Sequence, residues 1–106
     1  MIDAPDEGRA RDALARADRA KRLLEDELFI EAFDAVDSAL RQGWAATRGD
    51  QSEDRERLWL MLKLLERVRG HVSAVVHGGK LAGVRLAEIE KRRADTVARA
   101  RRMGAA

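Results

Sequence analysis

The only proline in the chain is Pro5. Beyond it every residue keeps its backbone N–H, so no proline forces a break in helical hydrogen bonding. The chain can therefore run in long helices wherever the spacing of its apolar residues supports them. Composition points the same way. Charged residues make up 38%, against about 25% in an average soluble protein. Nineteen of the hydrophobic residues are alanine, two are Phe, two are Trp and none is Tyr. This excludes a β-sandwich and favours charged, alanine-rich helices. Without cysteine there is neither a disulfide nor a thiolate metal site.

Apolar spacing divides the chain. Ala10, Ala13, Ala17, Ala20 and Leu24 recur every three or four residues, as one helical face does. Alanine buries little area, so this stretch is expected to be marginal alone. Residues 1–8 precede it and are expected to fray. Asp26 either caps a fresh turn or is passed through. Phe29, Phe33, Val36, Leu40 and Trp44 then form the first strong stripe. Gly43 and residues 47–51 mark a break, with Asp50 or Ser52 as the cap of the next helix. Glu53, Asp54 and Glu56 suit the positive end of a helix dipole.

The stretch 52–77 is the strongest helix. Leu58, Met61, Leu65, Val68, Val72, Val75 and Val76 run as a stripe, and Trp59, Leu60, Leu62 and Leu64 widen it. A face this wide needs more than one neighbour. At about 1.5 Å per residue the helix spans roughly 40 Å, which suits a bundle or coiled coil. Gly78-Gly79 is expected to end it through a C-terminal glycine. Helix resumes over 81–103, but the stripe fades after Ile89.

The predicted fold is all-α: three to four helices over about 9–42 (with Asp26 as a candidate break), 52–77 and 81–103, in an elongated hairpin or bundle. One helical domain spans 1–106, and 90–106 forms a basic C-terminal extension. The expected core or interface is Phe29, Phe33, Val36, Leu40, Trp44, Leu58, Trp59, Met61, Leu62, Leu65, Val68 and Val72, with Leu65 buried at its centre. Trp44 and Trp59 are expected to pack as a plug beside the first turn; the alternative is an exposed aromatic anchor for a partner.

Net charge is only +2, but its distribution is uneven. Residues 23–40 hold six acids and no base. Residues 91–102 hold six bases, Lys91, Arg92, Arg93, Arg99, Arg101 and Arg102, against one acid, Asp95. Such runs serve either as solvated helix faces or as a phosphate-binding arm.

Residues for catalysis are scattered. His71 and His77 are six apart, which separates them by roughly 120° around a helix. Glu31 and Asp34 lack the E-x-x-H partner of a bundle metal site. Ser38, Thr47, Ser52, Ser73 and Thr96 read as isolated, and Ser73, two residues from His71, falls on a different helical face from it. Gly78-Gly79-Lys80 lacks both the strand and the full spacing of a phosphate loop. A non-enzymatic protein without metal or cofactor is expected. No apolar run approaches the length of a membrane span, and the acidic N-terminal residues do not form a secretory signal.

Residues 23–33 (LLEDELFIEAF) followed by Trp44-Ala45-Ala46-Thr47, and 54–59 (DRERLW) followed by Gly79-Lys80-Leu81-Ala82, resemble small helical proteins encoded by tailed phages and prophages among their structural genes. The resemblance covers roughly residues 20–90 and rests on packing patterns. It implies an oligomeric component of phage assembly or of the virion, located in the bacterial host cytoplasm or the particle. No site residue is carried over from it. Three roles follow as expectations. The first is a homo-oligomeric interaction protein whose partners are phage or virion proteins. The second is a sequence-tolerant nucleic-acid binder using the six C-terminal bases. The third is a small inhibitor of a host or defence protein.

Overall fold

The computed structural model describes residues 4–104, and among these there is helix and no strand. Three helices follow in order: α1 (Ala4–Glu25), α2 (Glu27–Ala46) and α3 (Ser52–Gly104). None is long and apolar enough to cross a membrane. The chain divides into two compact units. One joins residues up to 19 with those from 75 onward, and the other takes residues 20–74.

Asp26 is the break between α1 and α2. Its backbone is extended, at φ −68° and ψ 126°, and its carboxylate accepts the N–H of Phe29 at 3.0 Å. This is an ordinary N-cap, which satisfies one of the donors a helix start leaves free. Helix α2 passes through Gly43, beyond the expected end at 42, and the glycine lies against Leu58: a Cβ there would sit 3.5 Å from its Cδ2, in ordinary contact. Thr47 closes α2, its hydroxyl donating to the Trp44 carbonyl at 2.6 Å.

Neither expected cap starts α3. Gln51 occupies that place: its carbonyl accepts the N–H of Arg55 at 3.0 Å, while its side chain accepts the N–H of Arg48 at 2.7 Å. Asp50 instead lies 3.4 Å from the Arg48 guanidinium.

Helix α3 runs through Gly78-Gly79 without interruption, so the expected helices 52–77 and 81–103 are one. No glycine among the described residues has a positive φ. The reason lies in the unit that joins the chain ends. Gly79 is buried against α1, where a Cβ would come within 2.0 Å of the Ala17 Cβ. A side chain is excluded by close helix packing, and that packing offsets the ~1 kcal/mol by which glycine disfavours a helix.

In this unit α1 runs antiparallel to the C-terminal part of α3. Ala10, Ala82, Leu86 and Ile89 form the buried cluster, with Ala13 packed on it, and Ile89 is 1% exposed. The alanine stripe, expected to be marginal alone, is here packed on α3, with Ala10 and Ala17 buried. Leu81 and Val84 lie outside it and are exposed. Helix α1 also begins earlier than expected: residues 4–8 are helical rather than frayed, and residues 1–3 lie outside the described part. Asp6 pairs with Arg85, and Glu7 accepts from Arg93 through both oxygens.

In the second unit α2 runs antiparallel to the N-terminal part of α3. Phe29, Phe33, Leu40, Leu58, Leu62, Leu65 and Val72 are half-buried, and no residue of α2 is fully buried. Leu65 is therefore not the buried centre that its position in the stripe suggests. Val36, Trp44, Trp59, Met61 and Val68, read as core from their spacing, are exposed. The pairing of α2 with α3 covers only a narrow stripe of a face this wide.

Candidate protein-docking face

The second unit has two flanks of different chemistry. Along one, α2 and α3 are tied by polar and aromatic contacts. Arg55 donates to the Thr47 carbonyl at 3.2 Å and to its hydroxyl at 2.9 Å, and its guanidinium lies 3.9 Å from the centre of the Trp44 ring. Arg69 approaches Asp34 at 3.7 Å and lies 5.1 Å from the Phe33 ring centre. Phe33 in turn meets Phe29 with ring centroids 4.5 Å apart. Trp44 and Trp59 do not form the expected plug: each takes a cation of α3 over its face, Arg55 and Lys63 respectively. Such contacts are worth ~0.5–1 kcal/mol each at exposed sites.

The other flank is apolar and uncovered. On α3 it carries Leu64, 60% exposed, Val68, 54%, and Met61, 50%. On α2 it carries Leu28, 71% exposed, and the exposed alanines Ala32, Ala35 and Ala39. At about 100° per residue these positions fall on one side of their own helix. Asp34 and Asp37 project from the opposite side of α2, and Glu31 from its outer face. In an antiparallel pair, flanks of the same rotational sense lie on the same side, so the two apolar lanes adjoin.

Among the described residues no group of three or more His, Asp or Glu side chains comes together. His71 and His77 are exposed, and Ser73 is half-buried. The depression beside Asp34, Asp37, Ser38, Arg41, Gln42 and Ala45 is lined by α2 alone, so it has no second wall to enclose a ligand.

The six C-terminal bases lie on the exposed last part of α3. They do not act as one group. Arg93 faces α1 and is held by Glu7. The Arg93 and Arg11 guanidiniums hold the Glu7 carboxyl below its ordinary value, and the Glu7 hydrogen bond raises the pKa of Arg93. Lys91, Arg92, Arg99 and Arg102 share an arc of roughly 100° that faces away from α1, with Asp95 among them. Arg101 lies off that arc.

No protein-family model matches the chain, and neither a curated protein nor a solved structure matches it.

Proposed function

We propose that this is a non-enzymatic helical interaction protein that works by docking a protein partner on the apolar flank of residues 28–68. The observation that carries this reading is the exposure of Leu28, Met61, Leu64 and Val68 beside a helix, α2, with no buried residue. Exposed apolar patches that adjoin in this way mark interaction surfaces. The likeness of residues 20–90 to small phage structural-gene proteins supports a place for such a protein in phage assembly or the virion.

The test is site-specific photo-crosslinking in cells, with a photoreactive residue in place of Leu64. A protein adduct is expected there and not with the same residue in place of Lys63, on the polar flank. Absence of any adduct at position 64 would overturn the reading.

A second reading concerns α3 alone. Lys91, Arg92, Arg99 and Arg102 are exposed, share an arc, and have no ion pair among the described residues. This arrangement suits phosphates along a nucleic-acid backbone, without base recognition. Affinity for duplex DNA is expected to fall with salt, with a log–log slope of about −0.9 for each phosphate engaged. Removal of the four charges should abolish it. Binding that is insensitive to salt, or no binding at low salt, would exclude this reading.

A further inference from the structure

We infer that the occupant of the apolar flank is a second copy of this chain, seated about a two-fold axis parallel to the helices so that α2 of each copy lies on α3 of the other. The inference rests on the docking reading above and names its partner.

The two lanes of the flank differ in size. The α2 lane is low, built from Ala32, Ala35 and Ala39. The α3 lane stands up, built from Met61, Leu64 and Val68. A two-fold axis along the helices exchanges the lanes, so each ridge meets a trough, as an isologous interface requires. The same rotation preserves height along the helices. The level of α2 against α3 is set by Gly43 beside Leu58 and Asp34 beside Arg69. It brings Val68 to Ala35 of the partner subunit and Leu64 to Ala39 of the partner subunit. Every neighbouring pair of helices is then antiparallel, the arrangement of an up-and-down four-helix bundle.

Charge and exposure point to the same occupant. The six lane residues are all uncharged, Asp34 and Asp37 lie on the other flank, and Glu31 stands at the outer rim, so the centre of the face is apolar. The combined lanes, with Leu28 and Leu60 at their rims, present five large apolar side chains that are 48–71% exposed. Closure would also cover the large side chains that leave the α2–α3 pair without a buried residue.

Sedimentation equilibrium of the full chain, from 1 to about 100 µM, provides the test. Twice the 11.8 kDa chain mass is expected. Leu64→Glu combined with Val68→Glu should raise the dimer Kd about a hundredfold or more, because unpaired carboxylates would enter an apolar interface. Helical content by circular dichroism should persist, since both side chains are exposed in the single chain. Ala35→Trp should also give monomer by filling the trough, and Lys63→Glu should leave the dimer intact.

The absence of cysteine permits a test of geometry. An oxidised mixture of Ala35→Cys and Val68→Cys chains should give the mixed disulfide in excess over either like pair. A monomer at 100 µM would overturn the inference, and so would a dimer unaffected by the glutamates. Preferential Val68→Cys like pairing would overturn the arrangement by placing α3 on α3. A monomer that still forms a photo-adduct with another protein at position 64 would overturn the second copy and leave the docking reading standing.

Discussion

Gly78 and Gly79 are neighbours with opposite roles, and the difference is one of direction. Around Gly78 no side chain lies within 4 Å of where a Cβ would sit, whereas at Gly79 that Cβ would overlap Ala17. Gly78→Ala should therefore stabilise the chain by about 0.5–1 kcal/mol, the usual gain in helix propensity. Gly79→Ala makes the same local gain but pushes α1 away from α3. Overpacking of this kind costs ~1–3 kcal/mol, so the net effect should be destabilising. Thermal denaturation of the two variants should move the midpoint in opposite directions. Midpoints raised in both would mean that Ala17 does not pack on Gly79. From sequence the two glycines look alike, because a glycine pair marks a helix end as readily as a close crossing.

At the scale of elements, α1 owes its early start to ion pairs distant in sequence. Glu7 carries charges from two directions, Arg11 on its own helix and Arg93 on α3, and its side chain is 14% exposed. Its pKa lies below the ordinary 4.5, chiefly through hydrogen bonds from Arg93 and Arg11. A carboxyl with a depressed folded pKa stabilises the fold above its unfolded value and loses that contribution as pH falls through the folded one. Stability should therefore decline as pH is lowered from about 4.5, and Glu7→Gln should flatten this part of the profile. Urea midpoints measured between pH 3 and 7 for both proteins check it; profiles of equal slope would remove Glu7 from the account. Asp26 shows the opposite kind of control. Its cap is local, reaches three residues ahead, and is readable in the sequence as one of two alternatives.

Across the whole molecule, burial is concentrated where the side chains are small. Where α1 meets the C-terminal part of α3, Ala10, Ala82, Leu86 and Ile89 are buried. Between residues 20 and 74 the large residues of the strongest stripes are at best half-buried, and Ala20 is the one fully buried residue. Ile89→Ala should cost about 2–5 kcal/mol, the range for a filled core site. Leu65→Ala should cost less, because part of its surface is already in water. Denaturant unfolding of the two variants gives the order directly, and a larger loss at Leu65 would place the main core on the other unit. If the second copy covers the apolar flank, the contrast should be sharpest at concentrations where the chain is monomeric.

The helical class was legible from residue order alone: proline is confined to position 5, apolar residues recur every three or four positions, and Asp26 and residues 47–51 interrupt them. These are local preferences, set by backbone sterics, capping and the 3.6-residue turn. The exposed flank was half legible. The width of the stripe at residues 58–76 announced more apolar surface than one neighbour could cover, but not which residues would remain uncovered. Tertiary structure decided that, together with the path through Gly78-Gly79, the burial of the alanine stripe and the withdrawal of Arg93 from the basic group. Each depends on how closely two helices approach and which faces they turn to each other. The closeness of α1 to α3 comes from a missing side chain at Gly79 meeting a methyl group at Ala17, residues 62 positions apart in the chain. Periodicity reports which residues share a face; only packing determines which face is covered.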